Sequence, residues 1–148
     1  MLKWASSLVA QNKFRRTLLE RRCIMNALEI GEAYLNALNA QDMAKITLLA
    51  DPEIHFKMPF TEVSNRDGFL AAVRRMLANL NELEVLSKFS SGNQAMFLYE
   101  ARFNEPVGRV KAASLMTIEK EKIREMEVIF DARPFDKVYG SSELKKAA

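Results

Sequence analysis

The chain has 148 residues, of which 49% are hydrophobic and 28% charged, as expected for one globular domain with a sizeable core. Its single cysteine, Cys23, excludes an internal disulfide framework and favours a reducing compartment, so we expect a cytoplasmic protein. The net charge of +3 is uneven, because residues 1–25 hold six basic residues and one acidic residue while the rest of the chain is slightly acidic. The charge of the body therefore does not favour a nucleic-acid partner, and no apolar run reaches the roughly 18 residues of a membrane span.

Residues 1–25 differ from the rest of the chain and are interpreted as a basic N-terminal arm or extension. The arm is predicted to be a helix that packs on the body or on a second subunit. Two alternatives stay open: an extension upstream of the true start at Met25, or an organelle-targeting segment, since Arg-rich, acid-poor segments are typical of transit peptides. Membrane contact by the arm is the least favoured interpretation. The domain is expected over residues 26–139, followed by a polar tail at 140–148.

Helix signals come first in the body. Asn26 with Glu29 three residues later is a variant of the capping box, which predicts a helix over residues 27–39. Asp42 is expected to cap a shorter second helix that Pro52 ends.

The first strand is predicted over residues 53–58, where apolar residues alternate with His55 and Lys57. Residues 61–65 are expected to form a polar loop. Ser64, with Asp67 three residues later, predicts the cap of a third helix that ends near Leu80.

Four strands follow in the second half of the chain, predicted over residues 83–89, 94–103, 109–118 and 122–130. Short turns separate them, including a tight one at Lys120 and Glu121. Strands joined by short turns pair antiparallel, so a curved sheet with helices on one face, an α+β fold, is predicted.

Four segments carry a family resemblance: AYLNALNAQD, LLADPEIHFKMPF, SNRDGFLAAVRR and KIREMEVIFD. On these segments the chain resembles the nuclear transport factor 2-like superfamily, which includes ketosteroid isomerases, SnoaL-like polyketide cyclases and limonene epoxide hydrolases. The resemblance covers residues 27–135. It implies three N-terminal helices packed on a curved, mainly antiparallel sheet around a cone-shaped pocket, a cystatin-like roll. It also implies a homodimer through the outer face of the sheet.

The resemblance and the alternation along the strands agree on the side chains that face the pocket. These are aromatic, methionine and small residues, which suit a small hydrophobic ligand. The predicted lining is Tyr34, Phe56, Met58, Phe97, Tyr99, Ala101, Ala112, Ser114, Met116, Met126, Val128 and Phe130. The opposite face is mixed in character, as a face shared between solvent and a partner subunit would be.

The family chemistry can be compared with this chain position by position. The resemblance places the isomerase's catalytic carboxylate at Met58, which cannot accept a proton, and its oxyanion-hole acid at Ser114, while Tyr34 matches the oxyanion-hole tyrosine. The inward Asp and Arg residues of the epoxide hydrolases are not matched, because Glu100 and Arg102 face outward. Both family mechanisms are therefore disfavoured.

Three functions remain open. The first is a binding module with an apolar pocket. The second is an isomerase, cyclase or hydrolase with a rewired site around Tyr34, Ser114 and Asp131, although Asp131 is better explained as an anchor where the chain leaves the sheet. The third is a purely structural dimeric interaction module.

The Tyr34 hydroxyl, if buried, needs a hydrogen-bond partner, which Ser114, Tyr99 or a ligand could supply. No cofactor is expected, since the glycines form no phosphate-binding loop. No metal site is expected either, because the lone His55 and Cys23 lack the spacing of metal ligands.

Overall fold

The structure, a computed structural model, describes residues 25–139. The predictions for the arm before Met25 and for the tail over 140–148 lie outside these residues. The chain forms, in order, α1 (Ala27–Asn39), α2 (Met43–Leu49), β1 (Ala50–Met58), β2 (Thr61–Val63), α3 (Arg66–Leu77), β3 (Leu80–Ser91), β4 (Gln94–Phe103), β5 (Arg109–Glu119), β6 (Lys122–Phe130), a 3₁₀ turn (Arg133–Phe135) and α4 (Asp136–Tyr139).

The six strands form one sheet in the order β2-β1-β6-β5-β4-β3. All neighbouring strands are antiparallel except β1 and β6, which are parallel. Helix α1 packs on the inner face of the sheet, where Ile30, Phe97 and Met116 are fully buried. The predicted α+β architecture, with three helices on a curved and mainly antiparallel sheet, is confirmed.

Side-chain caps begin the helices, largely as predicted. The Asn26 side chain accepts a hydrogen bond from the Glu29 backbone N–H at 2.9 Å, and Asp42 accepts one from Lys45 at 3.1 Å. The predicted cap of the third helix was wrong by one residue. Asn65, not Ser64, accepts from the Gly68 N–H at 2.7 Å, because Asn65 is the extended residue directly before the helix.

Two predictions around β1 need correction. Pro52 does not end α2, which stops at Leu49, but lies inside β1. Proline is tolerated there because the pairing of β1 with β6 shifts register between Ala50 and His55, where no ladder hydrogen bond is required. The predicted loop over residues 61–65 contains a short edge strand, β2, in which Val63 pairs with Phe56.

The boundary between α3 and β3 also differs from the prediction. The helix ends at Leu77, and the strand begins at Leu80 rather than at residue 83. Leu80 continues the apolar stripe of the helix, but it is buried as the first residue of β3, opposite Phe103. Over a stretch this short, an apolar residue that continues the helical spacing cannot be distinguished from the first buried residue of a strand.

The hairpins that build the rest of the sheet match the prediction closely. Strands β4 and β6 have the predicted bounds, and β5 extends one residue further, to Glu119. Lys120 and Glu121 form the turn between β5 and β6 with φ of 51° and 60°, the left-handed pair expected of a two-residue hairpin. These turns set the register that places alternate side chains on the inner face.

Candidate functional site: an apolar pocket under the sheet

A cavity of about 130 Å³ lies between the helices and the inner face of the sheet. Its wall is largely apolar and is formed by Tyr34, Leu38, Phe56, Met58, Phe60, Thr61, Ala72, Arg75, Met76, Asn79, Leu80, Leu83, Tyr99, Ala101, Phe103, Val107, Val110, Ala112, Met126, Val128, Phe130, Phe135 and Val138.

Nine of the twelve residues predicted for the pocket belong to this wall. The other three, Phe97, Ser114 and Met116, face the same side of the sheet but lie in the packed core, with exposed fractions of 0%, 1% and 0%. The face of the sheet was therefore predicted correctly for all three residues. Their position in the packed core, rather than in the cavity wall, was not predicted. Alternation along a strand predicts which face of the sheet a side chain occupies, but not how deeply that side chain lies in the core.

The size of the cavity limits what it can hold. Ligand pockets for drug-sized molecules measure roughly 300–1,000 Å³, so the volume of about 130 Å³ is small. An apolar cavity of about 150 Å³ admits a benzene molecule. This pocket therefore has room for one ring or a short branched chain inside, with any further atoms at the mouth.

Tyr99 and Ser114 form a hydrogen bond at the inner end of the site. The Tyr99 hydroxyl lies 2.8 Å from Ser114 Oγ, and both side chains are buried. Burial raises the pKa of Tyr99 to about 12, although the hydrogen bond with Ser114 acts in the opposite direction. Ser114 is thus engaged with Tyr99 rather than with Tyr34.

The Tyr34 hydroxyl is the polar group of the inner wall that has no partner among residues 25–139. Tyr34 is only 3% exposed and its ring lies 6.1 Å from that of Phe69, yet its hydroxyl makes no hydrogen bond within residues 25–139. No side-chain oxygen or nitrogen in that range is both fully enclosed and unpaired, so the hydroxyl must reach the open cavity. Burial, and then the nearby Tyr99, raises the pKa of Tyr34 well above its usual value, so it is protonated at neutral pH and can donate.

Asp131 is not part of the pocket wall. Its half-exposed carboxylate accepts hydrogen bonds from the Arg133 backbone N–H at 3.1 Å and from the Arg133 guanidinium at 2.6 Å. These bonds to Arg133 lower the pKa of Asp131 to about 2. Asp131 therefore anchors the turn after β6, which was the better-supported interpretation of the sequence.

The turn that Asp131 anchors closes one end of the cone with aromatic rings. The ring of Phe135 lies 5.2 Å from Phe103, 5.3 Å from Phe130 and 5.8 Å from Phe60, measured between centroids. Phe135 could not be predicted as a lining residue, because alternation ends with β6 and a single aromatic residue after a proline carries no periodic signal.

The polar part of the mouth was also missed. Thr61, Arg75 and Asn79 line the pocket where it meets solvent, and the Arg75 side chain is exposed. Arg75 lies in the last turn of α3, and Asn79 follows the helix cap. A charged residue on the polar side of an amphipathic helix is expected to face bulk solvent, so only its position near the helix end could have indicated the mouth.

The remaining candidates lie away from the pocket. Glu100 pairs with Arg109 at 3.3 Å and Arg102 pairs with Glu82 at 3.0 Å, both outside the pocket wall, as the alternation predicts. His55 is exposed on β1, where its Nε2 lies 2.8 Å from Glu62 of β2. In the described part of the chain, no three His, Cys, Asp or Glu side chains come together to hold a metal ion.

Comparison with known proteins settles the family. The family model of the SnoaL-like domain matches residues 32–126, more than half of the chain. The chain belongs to the SnoaL-like domain family. This SnoaL-like domain therefore belongs to the superfamily that the sequence segments indicated. A search of curated proteins found no match.

Solved structures share the fold of this SnoaL-like domain. A protein from Kribbella flavida is 24% identical with a TM-score of 0.71, over 78% of this chain and 95% of its own. An NTF2-like protein of unknown function from Cytophaga hutchinsonii is 18% identical with a TM-score of 0.66, over 76% and 96%. An LEH-like epoxide hydrolase from M. tuberculosis is 17% identical with a TM-score of 0.63, over 82% and 96%.

The polar groups in the wall of this SnoaL-like domain are hydroxyl, amide and guanidinium groups. Within the range 25–139, no Asp, Glu, His or Cys lines the pocket, and Met58 occupies the wall where the resemblance places a catalytic carboxylate. The polar groups are the two tyrosine hydroxyls inside and Thr61, Arg75 and Asn79 at the mouth. Over the same range, no helix is both long and apolar enough to cross a membrane.

Proposed function

We propose that this SnoaL-like domain binds a small hydrophobic molecule in the pocket, with the Tyr34 hydroxyl as its hydrogen-bond donor. The proposal rests on one observation, the buried Tyr34 hydroxyl that reaches an apolar cavity without a partner among the described residues. A hydrogen bond from this hydroxyl to a ligand acceptor would contribute on the order of 0.5–1.5 kcal/mol to binding.

The chemistry of the wall narrows the ligand class. Met58, Met76 and Met126 supply flexible, polarisable surface that adapts to irregular shapes. Ring-bearing ligands suit the wall because Phe56 and Phe130 present aromatic faces and edges. The volume of about 130 Å³ limits the buried part to one ring, and Tyr34 favours a carbonyl or ether oxygen on that ring or next to it.

Binding is favoured over the two other functions that the sequence left open. A rewired enzyme would need a proton-transfer group, but Ser114 is bonded to Tyr99, and Asp131 is bonded to Arg133 outside the wall. A purely structural module would fill its cone with its own side chains, whereas this one retains an open volume next to Tyr34.

The test compares acetophenone and ethylbenzene, which differ in having a carbonyl or a methylene next to the ring, by isothermal titration of the full chain. Tyr34→Phe should weaken acetophenone binding roughly three- to tenfold, the usual value of one hydrogen bond, and leave ethylbenzene binding unchanged. Thr61→Val, which removes a hydroxyl at the mouth, is the matched control and should alter neither affinity. Absence of binding by both probes, or equal loss of both in Tyr34→Phe, would contradict the proposal.

We also propose that two copies pair through the outer face of the sheet. Large apolar side chains are exposed on neighbouring strands there, with Phe89 at 68% and Ile129 at 63%, beside Met96, Leu98 and the partly buried Leu115. In the strand register Phe89 lies opposite Met96, and Met96 opposite Leu115, so the patch is continuous across three strands. A contiguous apolar patch of this kind is typical of a protein interface.

A further inference from the structure

The mouth of the pocket carries one charge that the proposed function does not use. Among the described residues that line the cavity, Arg75 is the charged one, and its side chain is exposed at the end of α3. Asn79, which lies four residues later, also lines the pocket and adds a second N–H donor to its wall.

Arg75 has no carboxylate partner in the range 25–139, where it makes neither an ion pair nor a hydrogen bond. Four other arginines of the same range do find one, whereas Arg66 and Arg74 do not. The distances are 3.0 Å for Arg102 to Glu82, 3.3 Å for Arg109 to Glu100, 2.9 Å for Arg124 to Glu53 and 2.6 Å for Arg133 to Asp131. The guanidinium at the pocket mouth is thus left available to an anion.

A helix end by itself explains a basic residue at this position. Arg74 and Arg75 both lie in the last turn of α3, where positive charge complements the partial negative charge of the helix C-terminus. That explanation applies equally to both residues. Only Arg75 lines the pocket, so Arg74 provides an internal control for the electrostatics of the helix end.

We propose that the ligand is amphiphilic and anionic: an apolar ring in the cavity carrying a short arm that ends in a carboxylate at Arg75. This inference rests on the proposed function and adds the charge of the ligand to it. Guanidinium binds carboxylate through paired N–H donors, and Asn79 adds a neutral donor beside it. Because the wall formed by residues 25–139 has no carboxylate, nothing there repels an acid of this kind.

The experiment uses 3-phenylpropanoate and 3-phenylpropan-1-ol, which share the ring and the arm but differ in charge. At pH 7 and low ionic strength the acid should bind to the full chain roughly three- to tenfold more tightly than the alcohol, as expected for a charged hydrogen bond at a partly exposed site. Arg75→Met should remove this preference, and should change the affinity for the alcohol far less than the affinity for the acid. Arg74→Met should change neither affinity, and about 0.5 M salt should reduce the preference of the wild-type protein for the acid.

The outcomes separate the two proposals. If the alcohol binds and Arg75→Met leaves the affinity for the acid at its wild-type value, the anionic ligand is overturned while the pocket stands. An equal loss of acid affinity in Arg74→Met would overturn it as well, since general attraction by the helix end would then suffice. If neither probe binds the wild-type protein, the proposed function fails, and the inference fails with it.

Discussion

Phe97 packs so closely on the backbone of Gly31 that a Cβ added to Gly31 would lie 2.3 Å from Phe97 Cε2 and 2.6 Å from Cζ. Met116 Sδ would lie 3.3 Å away. Phe97 and Met116 are fully buried, so neither can move aside without disturbing the core. The closest approach of α1 to the sheet therefore depends on a glycine in the middle of a helix.

Replacing Gly31 by alanine should give a net destabilisation of about 1–2 kcal/mol, because overpacking at so close a contact costs about 2–3 kcal/mol. The better helix propensity of alanine, about 1 kcal/mol, offsets only part of that cost. Urea unfolding measures the difference. Asn36→Ala, an exposed substitution on the same helix, should lie within about 0.5 kcal/mol of wild type. A Gly31→Ala protein as stable as wild type would show that the contact with Phe97 does not require glycine at position 31.

Asn39 fixes the end of α1 to β3 through both backbone groups of one residue. Its Nδ2 donates to the Leu83 carbonyl and its Oδ1 accepts from the Leu83 N–H, each at 2.8 Å. Asn39→Ala should therefore cost about 1–3 kcal/mol of unfolding free energy in urea, because it leaves two partly buried backbone groups unpaired. Asn39→Asp keeps the acceptor and loses the donor, so it should fall between alanine and wild type. If Asn39→Ala lowers the free energy of unfolding no more than Asn36→Ala does, the contact between Asn39 and Leu83 does not stabilise the protein.

Ionisation of Tyr99 should reduce stability at alkaline pH. Its pKa rises from the ordinary value of 10.0 to about 12 on folding, chiefly because the ring is buried. A raised pKa in the folded state means that the contribution to stability is complete below pH 10 and is lost as the pH rises towards 12. The loss should be on the order of 2 kcal/mol.

Tyrosinate absorbance measured during an alkaline titration checks this value. The component that disappears in Tyr99→Phe should have a midpoint near 12. The stability of Tyr99→Phe should also fall less steeply than that of wild type between pH 10 and 12, which separates this effect from lysine titration. A midpoint near 10.0, the value of an exposed tyrosine, would mean that Tyr99 is not enclosed.

The outer sheet face should control the oligomeric state. Light scattering of the wild-type protein should give a mass twice that of the 16.9 kDa monomer. The double variant Met96→Lys with Ile129→Lys should have the mass of the monomer. Two charges in the middle of an apolar interface cannot be desolvated without partners. Leu48→Lys is the matched control, since Leu48 is 71% exposed on α2 away from the sheet, and it should leave the dimer intact. A monomeric wild-type chain would contradict the proposed pairing.

The parts of the fold that follow from local signals were predictable. Hairpin turns and alternation determine which side chains of β4, β5 and β6 face inward, and this places Tyr99 and Ser114 on neighbouring strands within hydrogen-bonding distance. The parallel pairing of β1 with β6 depends on contacts between residues such as Phe56 and Met126, which no local pattern encodes.

The composition of the pocket wall was only partly predictable for the same reason. Strand residues of the wall follow from parity, whereas Arg75 and Asn79 enter it from a helix end and Phe135 from the turn after the sheet. Their positions depend on how separate elements pack together. That Tyr34 has no partner in the described part of the chain is likewise a property of the assembled pocket, since Ser114, a possible partner by sequence, bonds Tyr99 instead.

Intermolecular nuclear Overhauser effects between ethylbenzene and the methyl groups of the full chain would show directly whether the cavity takes up a ligand. Saturable binding of one molecule per chain is expected, with contacts to Met126 and Val128 of the pocket wall. Contacts confined to Leu98 and Ile129 on the outer face, or no saturable binding, would contradict a ligand pocket under the sheet.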